Sequence, residues 1–148
     1  MSPFSFLTKI FGGDTSLTGD EQVKLFEELM FLTLSRASRS DLDISSVEVE
    51  LVQRILKESA GIDATEQEIR TAGQSELYEV APLDKYVAKA SKRLTVDQRR
   101  TLVTALYDVI GVDGKVTTTE AEFFDHIANA VHLRPVELMG AQIEQGHD

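Results

Sequence analysis

The chain has 148 residues, 42% hydrophobic and 27% charged, an ordinary composition for a single globular domain that buries about 70% of the surface its unfolded form exposes. It contains no cysteine, which excludes disulfides, zinc–thiolate sites, iron–sulfur ligation and cysteine nucleophiles. With 15 Lys+Arg against 25 Asp+Glu, the formal net charge of −10 repels a phosphate backbone, and no nucleic-acid partner is expected.

In chain order, Met1 to Gly12 comes first, carrying Phe4, Phe6, Leu7, Ile10 and Phe11. It has neither a basic n-region nor a small-residue cleavage site, so it does not read as a secretory signal. No stretch approaches the ~20 apolar residues of a membrane span, and a cytoplasmic location is expected. The spacing of Phe4, Leu7 and Phe11 admits two roles: a dock onto the rest of the chain, or a peripheral contact with a membrane or a partner. Docking is expected, because a single Lys9 offers anionic lipid little attraction. Gly12-Gly13-Asp14 and Gly19 predict a loop. Residues 1–19 are therefore read as an amphipathic segment and linker, and residues 20–145 as one helical domain. Loss of Met1 to Gly13 is expected to leave that domain folded.

Beyond the loop, apolar residues recur at three- and four-residue spacing almost everywhere, which predicts helix. Five S/T-x-x-E/Q capping boxes mark helix starts: Thr18/Glu21, Ser45/Glu48, Thr65/Glu68, Thr95/Gln98 and Thr117/Glu120. Stripes wide enough to face a core follow four of them: Val23-Leu25-Phe26-Leu29-Met30, Leu51-Val52-Ile55-Leu56, Leu102-Val103-Leu106-Val109-Ile110 and Phe123-Phe124-Ile127-Val131. A further helix is expected from near Leu83 to Leu94, with Tyr86, Val87 and Ala90 inward. Another is expected to open at Pro135, a favoured first-turn residue. The tail, Ile143 to Asp148, needs no role.

Charge is segregated along the chain. Met1 to Ser40 carries a net −1, Asp41 to Glu79 −7, Val80 to Arg100 +4 and Thr101 to Asp148 −6. Two acidic blocks thus flank one basic block, a pattern that solvated helix faces also produce.

A shift of 72 residues lays Ser40-Asp41-Leu42-Asp43-Ile44-Ser45-Ser46-Val47-Glu48 over Val112-Asp113-Gly114-Lys115-Val116-Thr117-Thr118-Thr119-Glu120. Leu34 then falls on Leu106, Leu51-Val52 on Phe123-Phe124, and Ile55 on Ile127. Each copy reads as helix, tight turn, helix, and two such units can close a bundle together. In each, an acid in the turn precedes by seven residues a glutamate in the next helix's first turn. Gly114 suits a helix end because it tolerates the left-handed conformation. Glu48 and Glu120 can serve as capping residues alone. Alternatively, these all-oxygen acidic turns suit a hard divalent cation such as calcium, magnesium or manganese. The seven-residue spacing does not fit the twelve-residue EF-hand loop.

The doubled turn, above all Leu106-Tyr107-Asp108-Val109-Ile110-Gly111-Val112-Asp113-Gly114-Lys115-Val116-Thr117 through Glu120, resembles the tellurite-resistance TerB family and its TerB-like relatives over about Asp20 to Met139. The resemblance implies an all-α, single-domain helical bundle of about seven helices built from two pseudo-repeated helix-turn-helix units. It also implies a cation site drawn from Asp41, Glu48, Asp113 and Glu120. In such families the domain accompanies tellurium-anion resistance and stress-response systems, and a related domain precedes a DnaJ-type module in a membrane co-chaperone. Stress-response or membrane-associated proteins are the partners so implied. The first copy departs from the D-G-x-[IV]-x-x-x-E pattern: Leu42 stands where glycine is expected, and Asp43 stands opposite Lys115. Asp43 is therefore added to the candidate ligands.

Catalysis has little support, and the chain is not expected to be an enzyme. Glu122 and His126 share a helix face at four-residue spacing, with Asp125 and Asn129 nearby, but a solvated histidine accounts for them. His132 and His147 add no array, and no nucleophile elbow, phosphate-cradling glycine loop or H-E-x-x-H run is present. Two functions remain: a cation-binding module in metal or oxyanion stress, or an acidic protein-interaction scaffold that needs no metal.

Overall fold

The computed structural model describes residues 6–7, 18–37, 46–73, 82–110 and 118–132. These form an all-helical bundle: α1 (Gly19–Ala37), α2 (Ser46–Ala60), α3 (Glu66–Gly73), α4 (Leu83–Ser91), α5 (Val96–Ile110) and α6 (Thr118–Ala130). No strand occurs among the described residues. The helix expected at Pro135 and the tail after it lie outside them.

The capping boxes set the helix starts. At α1, the Thr18 N–H donates to Glu21 Oε1 at 3.0 Å and the Glu21 N–H returns to Thr18 Oγ1 at 3.2 Å. The same reciprocal pair forms at α3, with Thr65 and Glu68 at 2.9 and 3.0 Å, and at α5, with Thr95 and Gln98 at 2.9 and 3.0 Å. Each pair satisfies two backbone donors that a helical first turn leaves free. Helices α2 and α6 begin at Ser46 and Thr118, one residue after the expected caps Ser45 and Thr117. Those two caps lie outside the described residues. At the other end of α2, Gly61 takes the left-handed conformation, φ 67°, and the Ile62 N–H turns back to the Leu56 carbonyl at 3.1 Å.

Helix α1 is the hub. It packs on α2, α3, α4 and α5, while α5 also contacts α2 and α6, and α4 contacts α6. Because four helices surround α1, burial is not confined to one stripe: Leu32, Thr33, Leu34 and Ser35 are all fully buried. Only its start is open. Val23, expected to face the core, is 49% exposed, on the first turns of α1 where Gly19, Asp20 and Lys24 are exposed as well.

The apolar positions related by the 72-residue shift are buried at most points. Leu34 and Leu106 are both inaccessible, Ile55 and Ile127 both lie in the core, and Leu51 and Val52 are buried, whereas Phe123 and Phe124 are only partly so. Phe124 meets the exposed Tyr107 ring edge-on, with centroids 6.1 Å apart.

Arginines and glutamines tie helix ends together. Arg36 Nη1, in the last turn of α1, donates to the Gly73 carbonyl at the end of α3 at 2.9 Å. Arg99 Nη1, in the first turn of α5, donates to the Val131 and His132 carbonyls just past α6 at 3.1 and 3.3 Å. Gln22 Nε2, near the start of α1, reaches the Arg93 carbonyl in the turn before α5 at 2.5 Å. The starts of α1 and α5 and the end of α6 are thereby gathered at one end of the bundle.

The N-terminal segment enters this core. Leu7 is 1% exposed and belongs to the central cluster, against which Phe6 packs. The half-buried Glu28 carboxylate of α1 accepts the backbone N–H of Phe6 at 2.9 Å and of Leu7 at 3.0 Å. Docking is thus the role that Leu7 takes. The expectation that the domain folds without Met1 to Gly13 is kept, but with a cost in stability, because one of the fully buried leucines lies inside that stretch.

No helix among the described residues is long and apolar enough to cross a membrane.

Candidate functional site

The expected ligands cluster on two connections, the one between α1 and α2 and the one between α5 and α6. Asp41, Asp43 and Asp113 lie outside the described residues. Glu48 and Glu120 each occupy the third position of their helix, α2 or α6, in the first turn; their side chains are likewise outside the described set. Among the described residues, no group of three or more His, Asp or Glu is placed to hold a metal ion.

What a capping glutamate does is visible at the other boxes. Glu21 and Glu68 each receive the backbone N–H of the residue three before them, and at α5 the neutral amide oxygen of Gln98 does the same at 2.9 Å. Capping therefore needs an acceptor oxygen but no negative charge. Coordination of a hard cation needs the charge, and this difference separates the two roles of Glu48 and Glu120.

Of the histidine set, His147 lies outside the described residues. Glu122, Asp125, His126 and Asn129 are all exposed on α6, as a solvated face requires. Tyr86, one of the largest buried side chains, has its phenol pushed above the ordinary value of 10.0 by desolvation, so it stays protonated at neutral pH and serves packing.

One polar cleft was not anticipated from the sequence. Ser59 at the end of α2 faces Asp97, Arg100, Thr101, Thr104 and Asp108 along α5, around a volume of about 340 Å³. Its signal in the sequence is the three- and four-residue spacing of polar groups on α5. Arg100 Nη2 pairs with Asp97 Oδ1 at 2.7 Å, and the Thr101 hydroxyl donates to the Asp97 carbonyl at 2.9 Å. These contacts bind the α5 surface to itself.

The model of the TerB family, described as tellurite resistance protein TerB, matches residues 27–143. The chain belongs to this family. No curated protein and no solved structure matches it. The TerB match takes in both acid-bearing connections and all five candidate ligands. It begins after the first turns of α1, so the contact from Leu7 to Glu28 joins the TerB region to a segment outside it.

Proposed function

We propose that this TerB-family chain is a cytoplasmic cation-binding helical module acting in tellurite resistance or a related stress response, and that it binds rather than catalyses. Asp41, Asp43 and Glu48 from the first connection, and Asp113 and Glu120 from the second, would supply the ligands. The donor set is all carboxylate oxygen, which suits calcium, magnesium or manganese.

The observation that carries this reading is the equivalent placement of the two glutamates. Helices α2 and α6 begin 72 residues apart, so Glu48 and Glu120 take the same position in the first turn after a connection bearing an acid seven residues earlier. In addition, α1 and α5 begin at one end of the bundle and pack on each other. At 1.5 Å per residue α1 then runs about 27 Å to Ala37 and α5 about 21 Å to Ile110, so both connections start well away from that end. Stress-response or membrane-associated proteins are the partners this module would serve.

A second reading is favoured by the three boxes in which Glu or Gln caps its helix. On that reading Glu48 and Glu120 only start helices, and the chain is an acidic scaffold that selects protein partners by charge. Calorimetric titration of the chelator-stripped chain with calcium, magnesium and manganese decides between them. A saturable heat with at least one ion is expected, and no heat with any of the three leaves the scaffold.

A further inference from the structure

The end of the bundle away from the acidic connections holds a hollow of opposite charge. It has a volume of about 280 Å³ and is lined by Ser91, Lys92, Leu94, Arg99 and His132. By the liquid-volume share of about 30 Å³ per water, that is room for a small ion with part of its hydration shell. The chain brings these residues from three places: the end of α4, the start of α5 and the turn after α6. Every ionisable side chain on the lining is basic, and two of the three, Lys92 and Arg99, come from the one stretch of this acidic protein whose net charge is positive.

Two features distinguish this hollow from an ordinary solvated basic face. First, the described ion pairs join Lys24 to Glu27, Lys57 to Asp63, Arg70 to Glu66 and Arg100 to Asp97; among the described residues no carboxylate neutralises Lys92 or Arg99. Second, two lining residues carry buried polar atoms without a hydrogen-bond partner, the hydroxyl of Ser91, a residue only 2% exposed, and Nε of Arg99. Unpartnered buried donors are uncommon in folded proteins and call for an acceptor such as an ion or an ordered water. Arg99 Nη1 is committed to the carbonyls past α6, which fixes the guanidinium against the hollow and leaves its other N–H groups.

We propose that this hollow binds a small inorganic oxyanion of the phosphate class, held by the Lys92 ammonium and the Arg99 guanidinium, with the Ser91 hydroxyl and the His132 imidazole as further donors. A tetrahedral oxyanion presents several acceptor oxygens to these converging donors, and charge-assisted bonds of this kind are the strong ones. The inference is independent of the cation reading: it concerns other residues and a ligand of opposite charge.

The test is a titration of the full chain with sodium phosphate against sodium chloride at equal ionic strength, read in the backbone amide resonances. Midpoint shifts alone would mislead, because phosphate raises the stability of most folded proteins through exclusion from their surface. Saturable shifts centred on Ser91, Lys92, Leu94, Arg99 and His132 are expected. Affinity should fall roughly tenfold or more in Lys92→Glu, from loss of one charged hydrogen bond. Lys92 is exposed and its ammonium is in none of the described ion pairs, so this variant should fold; His132→Gln is the second variant if it does not, with weakened binding again expected. Shifts that fail to saturate, that chloride reproduces, or that persist unchanged in the variant overturn the proposal, the ion then being an adventitious ion only.

Discussion

Deletion of Met1 to Gly13 is expected to lower the unfolding free energy by about 3 kcal/mol, the combined scale of one buried leucine and its lost hydrogen bonds. Leu7 is 1% exposed within the central cluster, and its removal returns apolar surface of α1 and its neighbours to water. The same deletion takes away the two backbone N–H groups that the half-buried Glu28 carboxylate accepts, leaving that charge with less compensation. For a chain of this size, each kcal/mol moves the melting midpoint by about 3 °C, so the truncated form should melt about 10 °C lower while remaining helical. Leu7→Ala in the full chain should reproduce most of the loss. Equal midpoints for the full and truncated chains would show that the segment adds nothing to the core.

Leu34→Ala and Leu106→Ala should each cost about 2–5 kcal/mol, the range for truncating a leucine inside a packed core. Both side chains are inaccessible to solvent, one in the α1 hub and one in α5, which packs on it. The 72-residue shift places them at equivalent positions, so comparable losses are expected in chemical denaturation, with the midpoint displaced and the slope unchanged. A loss below about 1 kcal/mol at either position, the scale of a surface change, would contradict the packing described for it.

The helical architecture was legible because its signals are local. A threonine followed three residues later by Glu or Gln specifies its own hydrogen bonds, and at Thr18, Thr65 and Thr95 the bonds formed as the spacing predicts. The inward faces of α4 and α5 followed from periodicity for the same reason. Properties that depend on distant packing were less legible. Val23 shares the periodicity of Met30, yet lies on the exposed first turns of α1. The spacing of Phe4, Leu7 and Phe11 predicts docking, but its partner Glu28 stands 21 residues away from Leu7 and carries no local signal. The basic hollow is likewise not legible in the sequence, because His132 joins Lys92 and Arg99 only through the packing of α6 on α4 and α5. For the candidate cation site, the sequence shows the acids and their spacing; the structure adds the equivalent starts of α2 and α6.

The central claim is that Asp113 and Glu120, with Asp41, Asp43 and Glu48 in the first copy, hold a cation as well as shaping turns. It is tested most directly by thermal melts of the parent and of Glu120→Gln, with chelator and then with calcium, magnesium or manganese, using Glu68→Gln as a control at a box that only caps. Gln98 caps α5 with a neutral amide, so both glutamine variants should match the parent in chelator, whereas Glu120→Ala should lose about 0.5–1 kcal/mol. A ligand that binds only the folded chain stabilises it by about 2.7 kcal/mol at about 100 times its Kd. The account predicts this gain for the parent and for Glu68→Gln, and its loss for the most part in Glu120→Gln and in Asp113→Asn. Equal gains in all four proteins, or a parent indifferent to every ion, would contradict it.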